Sequence, residues 1–360
     1  MAKLSLVECA ESDRYLWNEF VTRNHHSHVY HLWEWSDVIC KTYKYKRHYL
    51  AVKEGEDILA VFPCVFIKSL IFGKRLISLP FVEYAGPMLK NDIASSKARL
   101  VLAQLLEYTD KWSKILKADY VEIRQPPSFL FPLLLSTGFK ALQRHVTFRI
   151  DLTKGESKLW RDLDKKCRNS LRKAVKTGIK IEEVDLNGLE QYYELYLDVQ
   201  KRRGSPPHSF NFFRNVYDAF KPPELLRMTL AMYDNKPIAG VMVFCFEDKL
   251  YWFGAVTDRK YANLNPTNLL LWNTIKFGME NNFRVFDLGQ TRKADVGIYH
   301  FKSSWGGNET NLEDLVLSSR NVELPEPSQR KYVFLSKMWS MMPKALARRI
   351  GPKVIGGIGL

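Results

Sequence analysis

The sequence predicts an α/β protein built as two tandem domains, each a mixed and mostly antiparallel sheet flanked by helices. Three observations lead there. The chain has 360 residues, more than one ordinary core and enough for two of about 150. Its apolar pattern switches repeatedly between the two-residue period of strands and the 3.6-residue period of helices. The order of those segments in the first half recurs in the second. Apolar residues make up 46% and charged residues 26%, which suits a folded globular chain. No stretch approaches the roughly 18 uninterrupted apolar residues of a bilayer span.

The elements follow in order. His48 to Lys53 alternates as a strand, Glu54-Gly55-Glu56-Asp57 turns, and Ile58 to Lys68 returns as a strongly apolar strand. Leu226 to Tyr233, Asp234-Asn235-Lys236-Pro237 and Ile238 to Phe246 repeat that hairpin. Ile93 to Lys117 places Leu102, Leu105, Leu106, Trp112 and Leu116 at helical spacing. Its counterpart, Thr267 to Glu280, does so with Leu270, Leu271, Thr274, Phe277 and Gly278. The strand Val121-Glu122-Ile123-Arg124-Gln125 after the first helix parallels Phe286-Asp287-Leu288-Gly289-Gln290 after the second.

Phe148 to Leu152 reads as the last strand of the first domain, which puts the border near residue 150. Thr153-x-x-Glu156 has the form of a capping box and opens a helix. Trp160, Leu163, Cys167, Leu171 and Ala174 form one stripe on that helix, and Gly178 closes it. A strand at Ile179 to Val184 and helices at Leu189 to Arg203 and Phe210 to Phe220 come next. The order β, α, α, β, β, β, α, β is the acetyltransferase-like (GNAT) layout. Two such domains, 1–150 and 151–322, precede a basic amphipathic tail, 323–360.

Net charge is +15 and is concentrated. Arg161 to Lys180 holds eight basic residues against Asp162 and Asp164, and the chain after Pro327 adds seven with no acid. Such a field attracts a polyanion or an anionic lipid surface, although a solvated helix face is the bland alternative for the first run. The five cysteines, Cys9, Cys40, Cys64, Cys167 and Cys245, have no paired spacing and read as free core thiols. The histidines at His25, His26, His28 and His31 have no acidic or cysteine partner at ligand spacing, so no metal and no cofactor are expected. The N-terminus lacks an apolar signal core, and the protein is expected in the cytoplasm.

Several motifs carry a resemblance. Lys166-Cys167-Arg168-Asn169-Ser170-Leu171-Arg172-Lys173-Ala174 resembles the [KR]-x-R-N-x-[IL]-R-K-A helix of the FemABX-like and BioF2-like acyltransferases. Leu250 to Ala255 looks like their aromatic strand, and Phe286-Asp287-Leu288-Gly289 like the strand ending at their substrate channel. Phe301-Lys302-Ser303-Ser304-Trp305-Gly306-Gly307 matches their F-K-x-x-[FW]-G-G stretch and is the sharpest match. Ser78 to Phe81 with Gly86-Pro87 resembles the substrate-side loop of the first domain. That loop reads Tyr84-Ala85-Gly86-Pro87, where peptidoglycan members usually carry Arg-Gly-Pro.

The resemblance implies an aminoacyl- or acyltransferase forming an amide on a cell-envelope precursor that is lipid- or nucleotide-linked. In the peptidoglycan branch the donor is an aminoacyl-tRNA. It further implies that Phe301 and Lys302 line the channel, and that Arg202 grips an acceptor phosphate. Tyr251, Arg292, Trp305, Trp35 and Tyr84 complete the candidate substrate-binding set.

Aminolysis of an activated ester needs the amine deprotonated, the oxyanion stabilised and the reactants held together. Lys302 is the candidate oxyanion partner, against a surface lysine beside a buried Phe301. Asp287 either orients or deprotonates the amine, or caps the following turn. Tyr251 and Trp252 are either core or channel, and Arg292 and Asp295 are able to pair across their loop. The stretch Arg259 to Pro266 has no glycine where coenzyme A enzymes cradle pyrophosphate, which disfavours acetyl-CoA. Lys165, Arg168, Arg172, Lys173 and Lys176 are the candidate tRNA or phosphate contacts. In the tail, Trp339, Met341, Met342, Leu346 and Ile350 with Lys344, Arg348 and Arg349 suit attachment of 336–360 to the inner, anionic face of the membrane. Two other functions fit the sequence. One is an acyltransferase using acyl-CoA or an acyl carrier in exopolysaccharide or N-acyl amino acid synthesis, and the other is a non-catalytic nucleic-acid or membrane binding protein.

Overall fold

In a computed structural model describing residues 3–70, 72–125, 128–318 and 330–359, the first half begins with β1 (Leu4–Glu8), α1 (Arg14–Thr22) and α2 (Trp33–Tyr43). There follow β2 (Lys46–Glu54), β3 (Asp57–Ser69), β4 (Gly73–Ile77), the short β5 (Met88–Leu89), α3 (Ser95–Leu116), β6 (Tyr120–Ile123) and α4 (Phe131–Ser136). The second half runs β7 (Lys140–Asp151), α5 (Glu156–Asp162), α6 (Lys165–Val175), β8 (Lys180–Glu183), α7 (Leu186–Arg203) and α8 (Phe210–Phe220). It continues through β9 (Leu226–Tyr233), β10 (Lys236–Phe246), β11 (Lys249–Thr257), α9 (Pro266–Glu280), β12 (Val285–Asp287), α10 (Val296–Ser303) and β13 (Asn308–Ser318). Helices α11 (Arg330–Met341) and α12 (Lys344–Ile358) end it. Among the described residues no helix is long and apolar enough to cross a membrane.

Contacts divide the chain into two units, Met1–Arg144 with Leu312–Leu324 and Ile355–Leu360, and His145–Asn311 with Pro325–Val354. Each unit repeats one pairing scheme. In the first, β1, β2, β3 and β4 pair antiparallel in sequence order, and β4 then pairs parallel with β6. In the second, β8, β9, β10 and β11 do the same, and β11 pairs parallel with β12. The helix between the parallel partners, α3 or α9, lays Val101, Leu102 and Leu105, or Leu270, Leu271 and Ile275, onto its own sheet. Helix α7 lies against β10 and β11 and supplies the buried Tyr192 and Tyr196. These are the two α/β halves that the repeated pattern predicts.

The closing strands depart from the sequence reading. The sequence pattern places Phe148 to Leu152 at the end of the first domain. Residues 149–151 instead pair antiparallel with β12 of the second unit, with Arg149 opposite Asp287. Leu315–Ser318 of β13 pair with β6 of the first. The tail is divided between the units at 354 and 355, and the boundary placed at 322 and 323 falls outside the described residues.

The helix expected from Glu156 to Gly178 is two helices. Leu163 is extended (ψ 143°), and Asp164 caps α6 by accepting from the Lys166 N–H at 2.6 Å. The Asp164 N–H donates to the Ser304 carbonyl at 2.8 Å, a tertiary bond that holds the break open. No capping box forms at Thr153, whose side chain donates to Asp151 instead. Asp164→Ala is expected to lower stability by about 1 kcal/mol, the ordinary worth of an N-cap. In one continuous helix the same change would be neutral or stabilising, so the shift in denaturant midpoint decides between the two arrangements.

A buried charge cluster lies in the first unit. Arg124 donates to Glu122 at 3.0 Å with both side chains nearly sealed from solvent. Burial first, and the Glu122 charge second, raise Asp314 to about 7, while Arg124 and Arg144 oppose the shift. A carboxyl raised on folding binds its proton more tightly in the native state, so stability falls as pH climbs from about 4 to 7. Asp314→Asn is expected to be more stable than the parent at pH 8, by on the order of 1–4 kcal/mol, with the advantage shrinking toward pH 4. Denaturant unfolding at both pH values reads it.

Candidate active site

The second unit contains a gap between strands, and its origin is local. Along β11, Met242 faces Gly254 and Val243 faces Trp252, which leaves Phe253 as an extra residue: a β-bulge. Pairing with β12 covers only Lys249 to Tyr251 and stops just before that bulge. The chain after Asp287 turns instead along β7, where Leu288 donates to Phe148 and Thr291 exchanges two bonds with Val146. From Trp252 onward β11 keeps β10 on one side and has lost β12 on the other.

Lys302 lies in this gap. Its ammonium donates to the Gly289 carbonyl at 2.9 Å and the Gln290 carbonyl at 2.8 Å, and lies 5.9 Å from the Trp252 ring centre. Only 8% of the residue is exposed, so a charge out of water is compensated by two carbonyl dipoles and an aromatic face. Phe301 meets Trp252 and Trp305 edge-on at 6.1 and 6.2 Å. The bland alternative for Lys302, a surface lysine, does not describe it.

Asp287 is equally enclosed. Its Oδ1 accepts from Thr147 Oγ1 at 2.5 Å and from the Gly289 N–H at 2.9 Å, and its Oδ2 accepts from Arg149 Nε at 3.1 Å. These contacts make it the organiser of the turn that presents the two carbonyls to Lys302. Tyr251 pairs with it across the strands, and burial first, then the Asp287 charge, push that phenol well above its ordinary range. Thr147 and Arg149 were not among the residues singled out from sequence. The one available signal was a basic residue between Phe148 and Ile150 in an apolar strand.

The glycines of the Phe-Lys stretch have a steric reason. Gly306 sits at φ +72°, and a Cβ there would lie 2.6 Å from the Asp162 carbonyl oxygen; one on Gly307 would lie 3.0 Å from that of Arg149. The stretch thus presses on the end of α5 and on β7, fixing α10 and with it Lys302.

The remaining candidates are scattered. Arg202 is exposed at the end of α7 and donates to the Thr257 carbonyl, where β11 ends. Arg292 is half-buried and Asp295 exposed; a backbone bond between them closes a turn, and no ion pair joins them. Trp305, Tyr251, Trp35 and Tyr84 are all buried, which leaves them little surface to offer a substrate. Trp35 and Tyr84 belong to the first unit, packed edge-on with Tyr30 and stacked on His28 respectively.

Helix α6 buries Cys167, Leu171 and Ala174 against the second unit and packs beside α9 and the turn at Arg259–Leu264. Lys165, Arg172, Lys173 and Lys176 are exposed, and among the described residues none is in an ion pair. Arg168 differs: its guanidinium donates to the carbonyls of Arg161 and Leu163 and braces the break before α6.

Residues 161–303 match the acetyltransferase (GNAT) domain family. The chain is similar to a protein named lipid II:glycine glycyltransferase from Staphylococcus haemolyticus. The two are 24% identical, over 80% of this chain and 87% of the relative. A protein of the same name from Staphylococcus epidermidis is 25% identical over 78% and 68%. Among solved structures, the crystal structure of FemX superposes with a TM-score of 0.68 at 15% identity, covering 86% of this chain and 96% of that one. A tandem GNAT protein from the clavulanic acid biosynthesis pathway does so with 0.58 at 9% identity, covering 89% and 100%.

Gly306→Ala is expected to cost at least about 2 kcal/mol, from a left-handed backbone and a carbonyl clash together. Gly297→Ala, at a helical glycine with open space around it, is expected to be neutral or stabilising by up to about 1 kcal/mol. Thermal and denaturant midpoints of the two variants compare them directly.

Proposed function

The chain is a FemABX-like acyltransferase, and on that premise we propose that it transfers an aminoacyl group from aminoacyl-tRNA to an amine of a lipid-linked peptidoglycan precursor. The observation that carries the reading is the pairing of two features in one unit. A buried ammonium stands at the edge of a strand gap, and an exposed basic helix carries no counter-charges.

The reaction is aminolysis. The acceptor nitrogen attacks the ester carbonyl, a tetrahedral oxyanion forms, and the C–O bond to the terminal ribose breaks. The proton lost by the amine balances the one gained by the ribose oxygen. Lys302 supplies a fixed positive charge where negative charge develops, in a site poor in water, where such a charge is worth most. Asp287, Thr147 and Arg149 set the position of that charge by holding the turn at Gly289 and Gln290. Lys165, Arg172, Lys173 and Lys176 provide sequence-independent contacts to the donor's phosphates.

The test uses the whole chain with total charged tRNA and a lipid-linked precursor. Lys302→Met is expected to lower turnover by roughly 100-fold or more while tRNA affinity stays within about twofold. Lys165→Glu combined with Lys173→Glu and Lys176→Glu is expected to weaken tRNA binding at least about tenfold and to flatten its salt dependence. Binding that ignores salt, or tRNA that is not bound at all, overturns the tRNA donor. Full turnover in Lys302→Met overturns the role of the ammonium.

A further inference from the structure

The two C-terminal helices have different sides, and the division is not the one their sequence suggests. Trp339 and Ala347 are buried. The Ser336 hydroxyl reaches the Arg203 carbonyl, and Lys344 and Arg348 pair with Asp198 and Glu194 of α7. Trp339, Lys344 and Arg348, which the sequence pattern assigns to a lipid surface, are therefore spent on holding α11 and α12 against α7. Pro343 separates the two helices, its carbonyl accepting from Leu346 and Ala347.

The opposite side of α11 carries Val333, Phe334, Lys337, Met338 and Met341. Their spacing of i, i+1, i+4, i+5 and i+8 gathers them on one face of a 3.6-residue helix. Phe334 is 64% and Met341 74% exposed, and Val333 and Met338 are also open to solvent. Leu346 continues the apolar surface on α12, flanked by the exposed Arg349 and Lys353. Single exposed apolar residues are ordinary, but four large ones on one face of α11, with Leu346 exposed on the helix that follows, call for a partner. Lys337, Arg349 and Lys353 have no carboxylate within ion-pair distance among the described residues, and no acid occurs between 330 and 358.

We propose that this face of α11 and α12 is a docking surface for an anionic lipid bilayer. Phe334, Met338 and Met341 would enter the headgroup boundary, with Lys337, Arg349 and Lys353 against the lipid phosphates. The charge pattern selects the occupant: apolar side chains ringed by uncompensated cations fit an interface that is apolar within and negative at its surface. The inference does not depend on the donor proposed above. Every residue it uses points away from α7 and lies outside the strand gap.

The experiment is co-sedimentation of the full chain with vesicles of phosphatidylcholine alone or with phosphatidylglycerol added. Binding is expected only with phosphatidylglycerol. Phe334→Ser with Met338→Ser and Met341→Ser should weaken it at least about tenfold. Lys337→Glu with Arg349→Glu and Lys353→Glu should weaken it by more than about 100-fold. Because the substituted side chains are exposed, unchanged melting and unchanged tRNA affinity are expected alongside. The Lys165, Lys173 and Lys176 triple variant, basic but on α6, should bind vesicles within about twofold of the parent. No binding to the anionic vesicles overturns the proposal. Binding that both tail variants retain, or that only the α6 variant loses, also overturns it.

Discussion

The arrangement of the second unit depends on one extra residue in a strand. Phe253 bulges β11, and pairing with β12 ends beside it. A sheet that parted there with nothing in the gap would take the ammonium from the Gln290 carbonyl and leave the Gly289 carbonyl to the Thr147 hydroxyl, which donates to it at 3.1 Å; a buried carbonyl short of a donor costs roughly 1–3 kcal/mol. The Lys302 ammonium is the donor that both accept. Carbonyls and ammonium solve each other's desolvation, so the charge is fixed by the same contacts that make the opening tolerable. A lysine held this way loses the flexibility that its stem ordinarily allows, and its charge is kept in one position.

That dependence spreads outward. Lys302 is positioned by α10, and α10 by the Trp305-Gly306-Gly307 segment that follows it. That segment lies close only because neither glycine puts a Cβ against the carbonyls of Asp162 or Arg149. The Asp162 carbonyl is available there because the helix stops at Leu163, and the stop is stabilised by the bond from Asp164 to Ser304. The break before the basic helix and the Phe-Lys stretch are thus two sides of one contact. Ser304 and Gly306 of the Phe-Lys stretch are the residues that meet the break there, with Gly307 against Arg149.

Elements decided by local pattern were legible in the sequence. The two hairpins, α8 and the repeated order of segments came directly from periodicity, because each buries one face and alternates accordingly. The break at Leu163 was not, because the apolar stripe runs straight through it and its cause is 140 residues away. The same holds within the site. Phe301, Lys302 and the glycines were visible as a motif, whereas the Thr147 and Arg149 contacts to Asp287 cross 140 and 138 residues and leave no local trace. Asp287 has two readings at the level of sequence, and the structure bonds it to the Gly289 N–H of the following turn as well as to Thr147 and Arg149.

The two units place different residues at equivalent points of their parallel pairs. Glu122 faces Ile77 in the parallel pair of the first unit as Asp287 faces Tyr251 in that of the second. Two residues on, the second unit has Gly289, whose carbonyl turns to a lysine; the first has Arg124, whose guanidinium turns back onto Glu122. Arg124 and the fully buried Arg75 then take the carbonyls of Gly357, Ile358 and Gly359, so main chain from the end of the protein occupies the neighbourhood of that strand pair. A guanidinium whose donors are spent on a carboxylate and on backbone holds its surroundings closed. Where the strands of the second unit part, an ammonium is instead held by two backbone carbonyls beside an aromatic face. In one repeated scaffold, the choice of glycine or arginine two residues after the acid of the parallel strand sets whether a backbone carbonyl turns to a lysine or a guanidinium folds back onto the strand.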